Sequence, residues 1–424
     1  MTTIDIDQTL LNQAKAAKAA SRKMASLSTT VKNRALEGIA EALVKRQDEI
    51  IAANEQDIER ARDAGLADAP LNRLKLTPEK IAGIASDVLT VSRLADPVGE
   101  VIDGWRLPNG LQVSRRRVPL GVLAAVFESR PNVTIDIAAL TLKSGNACVL
   151  RGGSEAIRSN TVLARIAVDA ETAAGVPEGA LQFIESTDRA RVGELLTLRE
   201  YIDLVVPRGG AELIRFVAEN ARMPVLTGGV GVCHTYVDES ADLDKAVAIA
   251  VNAKTRNWSI CNALDTLIVH ENAAPVFLPR IAAAWADKGV ELRADERALA
   301  ALGGVSNAVA AAPDDFGREF LAPVAAVRVV NSFDEALDHI AQYSTGHSDA
   351  IVTEDASNAK RFTDEVDTAV VYVNASTQFT DGAQFGLGAE IIDSTQKTVA
   401  RGPVGLREIT TYKWIVQGEG QTRP

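Results

Sequence analysis

Val118-Pro-Leu-Gly-Val-Leu-Ala-Ala-Val-Phe127 is an unbroken aliphatic run, and Glu128-Ser-Arg-Pro-Asn-Val-Thr134 follows it directly. A run without polar alternation marks a strand buried on both faces, which is what a parallel sheet covered by helices provides. The pattern recurs downstream. Aliphatic runs at 147–150, 181–184 and 204–207 are separated by helical stretches, notably 154–174 and 210–220. A second alternation places strands at 234–237, 264–270, 324–330, 350–353 and 370–374. Helical patterns run from 242 and at 273–288, 332–342 and 356–365. Such alternation predicts an α/β protein with doubly wound parallel sheets.

Upstream, the first hundred residues read as helical. Residues 10–27 are rich in alanine, and Thr30 caps a long helix carrying Leu36, Ile39, Leu43 and Ile50 that stops near Gly65. Thr77-Pro78-Glu79 supplies a cap, a first-turn proline and an acid ahead of the apolar stripe Ile81, Ile84, Ala85, Val88, Leu89. Between 101 and 117 two alternating segments flank Leu107-Pro-Asn-Gly110, a β-hairpin signal. A hairpin alone is marginal and needs a partner sheet, for which the closing run 409–416 offers one more strand. Arg115-Arg116-Arg117 reads as a solvated or edge-protecting face rather than an anion site.

A chain of 424 residues exceeds one ordinary core, so two or three domains are expected. Apolar residues make up 46% and aromatics 4%, so Ala, Val, Ile and Leu build the interior. Forty-five basic against fifty-six acidic residues leave a charge of −11, which argues against nucleic acid as a partner. No apolar run is long enough to cross a bilayer, so no membrane partner is expected. The opening Met1-Thr-Thr-Ile-Asp-Ile-Asp lacks the pattern of a leader. Three cysteines, Cys148, Cys233 and Cys261, give no disulfide framework and point to a reducing, cytoplasmic setting. None has CxxC spacing, and His234, His270, His339 and His347 form no HxxxH pair, so no structural metal is expected. Cys233 and His234 are adjacent and face opposite sides of a strand, so they make no dyad.

The chemistry centres on Asn252-Ala-Lys-Thr-Arg-Asn-Trp-Ser-Ile-Cys261-Asn262. It sets a cysteine after a helix, beside Lys254 and Arg256 and just before an apolar strand. Nearby positive charge favours the thiolate, the form that attacks a carbonyl. The competing reading is a small buried hydrophobe. The fingerprint G-x-G-x-x-G is absent, so a standard Rossmann phosphate turn is not supported. Val206-Pro-Arg-Gly209-Gly210 opens a helix whose N–H groups favour an anion such as a pyrophosphate. Leu150-Arg151-Gly-Gly-Ser154-Glu155 adds a cation, a hydroxyl and a carboxylate. Each fits a tight turn with a helix cap equally well, while the two on neighbouring strands favour a nucleotide. Glu128, Arg130 and Asn132 stand at the carboxyl end of their strand, where open α/β sheets bind ligands. Asn132 suits either a donor to a developing oxyanion or a helix N-cap.

Together these segments resemble the glutamate-5-semialdehyde dehydrogenases, or γ-glutamyl phosphate reductases, over nearly the whole chain. The most specific matches are 128–134, 142–146, 150–156, 252–255, Cys261-Asn262, 373–376, 385–390 and 411–414. Beneath lies the aldehyde dehydrogenase superfamily, whose E-I-F-G-P-V segment is similar to Glu319-Phe-Leu-Ala-Pro323-Val324. The resemblance implies an aldehyde dehydrogenase-like fold with Cys261 as nucleophile and Asn132 at the oxyanion. It implies that Arg151, Ser154 and Glu155 hold the adenosine ribose and that Glu319 holds the nicotinamide ribose, while Gly209 and Gly210 join the cofactor set from the strand-end reading above. The implied reaction is NADPH-dependent reduction of L-glutamyl 5-phosphate to L-glutamate 5-semialdehyde, in proline biosynthesis. Arg151 could meet the 2′-phosphate of NADP, whereas Glu155 would repel it. Arg130 fits either the substrate carboxylate or a pair with Glu128, and Arg401 is a further candidate for the substrate.

The implied domain plan has a cofactor-binding domain at 1–99 and 118–232 and a catalytic domain at 233–375. A return segment at 376–404 lines the active site, and strands at 100–117 and 405–424 build a homodimer or homotetramer. A transient contact with glutamate 5-kinase, which makes the labile acyl phosphate, suits this chemistry. The chain departs from its relatives in three places. Leu226-Thr-Gly-Gly229 stands where hydrolytic members keep the base of E-L-G-G, which fits phosphate rather than water as acyl acceptor. Arg256-Asn-Trp-Ser replaces a usual Gln-Arg-Pro, and Ile391-Ile-Asp393 replaces Ile-Gly-Ile.

Overall fold

The computed structural model describes residues 6–66 and 68–423; the stretch 1–5, read above for a leader, lies outside them. Contacts divide the chain into two compact units. One is Met1–Thr227 with Gly386–Ile392 and Val404–Pro424, and the other is Gly228–Phe385 with Asp393–Pro403.

The first unit holds a parallel sheet in the order Leu181–Phe183, Ala147–Gly152, Val122–Phe127, Leu204–Arg208. All six residues of Val122–Phe127 are buried, as the aliphatic run requires. Alternate residues Val122, Ala124 and Val126 pack with Leu10, Ala14 and Ala17 of the helix Gln8–Met24 in one core. Chain order reverses direction between Val122–Phe127 and Leu204–Arg208, and such a switch point opens a crevice at the carboxyl ends of the strands.

Three expectations change here. The run at 118–127 is not one strand: Gln112–Pro119 closes the hairpin, and Gly121, at φ +132°, turns the chain into Val122–Phe127. A Cβ on Gly121 would also stand 2.2 Å from the Asp203 carboxylate, so both conformation and space exclude a side chain. The long helix through 30–65 is two helices, Thr29–Lys45 and Gln47–Asp63, which break at Arg46. Its cap is Ser28, which accepts the Val31 N–H at 3.4 Å, rather than Thr30. Thr77 does cap Pro78–Arg93, accepting from the Lys80 N–H.

The hairpin finds its partner in the closing strand. Val101–Arg106, Gln112–Pro119 and Thr410–Gln417 form an antiparallel sheet in that order. The arginine-bearing strand is therefore central. Arg115 pairs with Asp103, and Arg117 with Glu100 at 3.0 Å, so these guanidiniums bind across the sheet.

The second unit is built on a seven-stranded parallel sheet. Its order is Ala308–Ala310, Glu291–Ala294, Val324–Val330, Leu264–His270, Cys233–Val237, Ser348–Val352, Val370–Val373. Phe277, Ile281 and Trp285 of the helix Ala274–Ala286 share a core with Leu267, Val269 and Val327. The strands Glu291–Ala294 and Ala308–Ala310 were not anticipated, because they are short and the first alternates charge: Arg293 pairs with Glu291 at 3.0 Å. Among the described residues no helix is long and apolar enough to cross a membrane.

Candidate active site

Cys261 lies half-buried in the turn between the helix Leu243–Thr255 and the strand Leu264–His270. Asp242 caps that helix, accepting from the N–H groups of Asp244 and Lys245. Its far end is tied down by Gln378, whose Nε2 donates to the carbonyls of Ala253 at 3.0 Å and Asn257 at 3.1 Å. Arg256 donates to Gln378 Oε1 at 3.0 Å. Beyond the cysteine, Asn262 Nδ2 donates to the Thr380 carbonyl at 2.8 Å, and Thr377 Oγ1 donates to the Asn262 carbonyl at 2.7 Å. The turn carrying Cys261 is thus fixed on both sides by the segment 377–380.

Behind Cys261 runs Gly228-Gly-Val-Gly231-Val-Cys233. A Cβ on Gly231 would stand 1.8 Å from the Cys261 carbonyl oxygen, so only glycine permits this approach. The Gly231 N–H donates to Glu319 Oε1 at 3.1 Å. One residue therefore joins Cys261 and Glu319, two positions that sequence reading had named separately. Burial pushes the Glu319 carboxyl up, while the Gly231 N–H pulls the other way. The loop that carries Glu319 includes Leu321 at φ +48°, a left-handed conformation that costs a side-chain-bearing residue free energy. A buried clamp holds that loop: Asp265 Oδ1 accepts the Phe320 N–H at 3.2 Å and lies 3.4 Å from Lys254 Nζ. Burial pushes Asp265 up to about 6 and Lys254 down, and each partner opposes the other's shift.

The other two cysteines are fully buried. Burial pushes the Cys148 thiol up to about 12 and that of Cys233 well above its ordinary value. Neither is suited to nucleophilic work. Cys233 Sγ contacts the Cys261 carbonyl at 3.2 Å and lies 3.9 Å from His347 Nδ1. His234 on the opposite face pairs with Asp349 at 3.0 Å, so the two adjacent residues make separate contacts, as strand geometry requires.

In the first unit the named residues gather at the carboxyl ends of three neighbouring strands, where Phe127 is level with Gly152 and Arg208. Arg151 is buried, donates at 3.5 Å to the Thr187 carbonyl, and keeps a buried Nε without a hydrogen-bond partner. Burial pushes its guanidinium down, with Glu155 the largest opposing charge. Ser154 and Glu155 open a short 3-10 turn, and Glu155 Oε1 accepts from the N–H of Ser129 at 2.6 Å and its hydroxyl at 3.0 Å. The chain's own Glu128 occupies the helix start at Gly209-Gly210: its Oε2 accepts the Gly210 N–H at 3.0 Å. A Cβ on Gly209 would stand 2.4 Å from that oxygen.

Asn132 is the first residue of the helix Asn132–Lys143 and does not cap it; its Nδ2 donates to Asp136 at 2.8 Å. Burial pushes the Asp136 carboxyl up to about 6, opposed by that bond and by Arg208 and Arg130. Arg130 is exposed beside the strand end. Arg401, in the second unit, is committed to Asp367 through its carboxylate at 2.8 Å and its carbonyl at 2.9 Å, which weakens its case as a substrate ligand. Leu226 is buried, and its N–H donates to the Val205 carbonyl at 2.9 Å.

Sequence reading gave Gly231 and His347 no place in the site, and it held Gln378 and Asp393 only as members of the segment 376–404 expected to line it. The glycine cluster before Cys233 was a usable signal for the first. The other three are distant in sequence from Cys261 and carry no motif.

An aldehyde dehydrogenase family model matches residues 5–312 and 304–415. The gamma-glutamyl phosphate reductase of Dehalococcoides mccartyi is 53% identical over 413 residues, 97% of this chain and 97% of that one. That of Halothermothrix orenii is 52% identical over 420 residues, 99% of this chain and all of its own. The crystal structure of gamma-glutamyl phosphate reductase from Thermotoga maritima superposes with a TM-score of 0.95 at 49% identity, covering 98% of this chain and 100% of that one.

Proposed function

This chain belongs to the aldehyde dehydrogenase family, among its γ-glutamyl phosphate reductases, and from that premise we propose that it reduces L-glutamyl 5-phosphate to L-glutamate 5-semialdehyde with release of phosphate. The observation that carries this reading is identity above half over 97% of both chains with a relative of that name. Cys261 Sγ, as thiolate, attacks the acyl carbon; the C–O bond to phosphate breaks, phosphate leaves with its electron pair, and a thioester remains. Asn132, assigned by the resemblance, and the Cys261 backbone N–H stabilise the negative oxygen that forms during each addition. NADPH, when bound, supplies the hydride that reduces the acyl carbon. The reduced adduct then expels the Cys261 thiolate as the aldehyde forms, which restores the attacking form of the cysteine. With Leu226 in place of a carboxylate there is no general base at that position to activate water, so the thioester is kept for reduction.

Family members work with a nicotinamide cofactor. Arg151, Ser154, Glu155, Gly209, Gly210 and Glu319 are the proposed holders. The set fits a phosphate-bearing nucleotide, since Arg151 keeps a buried, unpartnered N–H and Gly210 opens a helix. Glu128 at the Gly210 N–H is the group that a pyrophosphate would displace. We assign NADPH over NADH on the resemblance alone; a lower KM for NADH would overturn that choice.

Replacing Cys261 by Ala tests the mechanism. The expected result is loss of turnover with nucleotide binding retained in a fluorescence titration. Retained turnover would refute the assignment.

A further inference from the structure

We propose that Cys261, His347 and Asp393 form a site for a thiophilic divalent cation, Zn²⁺ foremost, and that the bound ion reversibly silences the thiol. The Cys261 Sγ, a ring nitrogen of His347 and a carboxylate oxygen of Asp393 lie within 4.8 Å of one another. Three protein donors of sulfur, nitrogen and oxygen type, with a fourth position left for water, form a set that Zn²⁺ accepts where it is not fully enclosed. Bonds of ~2.0–2.3 Å set tetrahedral donors roughly 3.5 Å apart, so side-chain movements of about an ångström close the triad around an ion.

The state of His347 supplies a second, independent observation. Its ring is buried, with Nδ1 at 2.9 Å from Ser348 Oγ, and its Nε2 has no hydrogen-bond partner. With Nδ1–H donating to that hydroxyl, the lone pair sits on Nε2. A metal-bound histidine is commonly prepared in this way, with its other N–H given to an oxygen. The support continues outward, from Ser348 Oγ to Thr380 Oγ1 at 2.6 Å and on to the Tyr372 hydroxyl at 2.8 Å. Asp393 opens the two-residue strand Asp393–Ser394, which pairs with Gly402–Pro403. Cys261 is half-buried and gives the ion its way in.

The chemistry balances without any redox partner. The thiol releases its proton to solvent as the sulfur–metal bond forms, and nothing is oxidised. Thiolate and carboxylate then neutralise the dication. The sulfur lone pair needed for attack is engaged, so turnover stops until a chelator removes the ion. Silencing rests on Cys261 being the nucleophile, whereas binding does not.

The test uses the full chain titrated with Zn²⁺ against a chromophoric chelator, with Co²⁺ as a spectroscopic substitute. One ion per chain is expected, with a sulfur-to-cobalt charge-transfer band and Zn²⁺-dependent protection of Cys261 from iodoacetamide, followed by peptide mass. His347→Gln and Asp393→Asn should each weaken the ion by ~10-fold or more. Absence of a bound ion would overturn the proposal. Unchanged affinity in both variants would do so too, because the thiol alone would then be the ligand. Should the histidine variant fail to fold, Asp393→Asn and protection of the unaltered chain still decide. Every readout is independent of turnover, so failure here is separable from failure of the proposed reduction.

Discussion

At residue 231 the backbone runs so close to the turn carrying Cys261 that an added Cβ would stand 1.8 Å from the Cys261 carbonyl oxygen. Gly231→Ala must therefore push the turn aside, and an ångström of misplacement at a reacting atom costs on the order of 100-fold in rate. We expect kcat to fall by at least about that factor and the melting temperature to fall with it, because the atoms met are backbone; an unchanged kcat in steady-state kinetics would show that the approach is not needed. Away from the site, Glu171 is buried on the helix Ile157–Ala174, and burial pushes its carboxyl from 4.5 up to about 8. Between these two values the folded chain holds a proton that the unfolded chain has lost, so stability falls as pH rises through the window. Glu171→Gln should flatten that slope and gain on the order of a few kcal/mol at the upper end; urea denaturation at pH 5 and pH 8 checks it, and parallel profiles would contradict it. Cys261 was proposed from its neighbours in sequence. The nearness of His347 and Asp393 to it was not readable, although 376–404 was expected to line the site, because only the packing of distant segments brings these side chains together. Lys254 was read as a cation for the thiolate, but the fold also gives it to Asp265 in a buried pair.

The loop bearing Glu319 depends on the strand that follows the cysteine, through the Phe320 N–H and the Asp265–Lys254 pair. Asp265→Ala leaves an ammonium buried without its carboxylate, and breaking a buried pair in this way costs roughly 3–5 kcal/mol. A double replacement with apolar residues should cost much less than that single change. Chemical denaturation of both variants is the check, and equal losses would mean that the pair is not what matters. Most elements were readable because their apolar periods are long. Boundaries failed where a local signal had competition. Ser28 took the cap from Thr30, Arg46 broke a periodic stretch, and Gly121 divided an aliphatic run that looked continuous.

For the molecule as a whole, one sheet face exposes large apolar side chains grouped around Arg115, whose guanidinium lies 5.0 Å from the Tyr412 ring centre and 5.6 Å from that of Trp414. The sheet built from Val101–Arg106, Gln112–Pro119 and Thr410–Gln417 exposes Trp105, Tyr412, Trp414 and Val416, and the two indoles meet edge to face at 5.7 Å. We propose that a second copy covers this face, in line with the resemblance. Trp414→Asp with Val416→Asp should then shift the assembly towards single chains in sedimentation velocity, and an unchanged profile would count against the sheet as the interface. The alternating strands and helices were enough to read both sheets from sequence, whereas the short Glu291–Ala294 and Ala308–Ala310 strands carry too little pattern to be seen. The acyl acceptor is the central claim, because it separates this chemistry from hydrolytic and CoA-dependent relatives on the same fold. The direct measurement is nicotinamide absorbance with purified protein, glutamate semialdehyde and NADP⁺, with phosphate, with CoA, and with neither. Reduction that requires phosphate is the predicted result, and reduction that proceeds without phosphate would contradict the account.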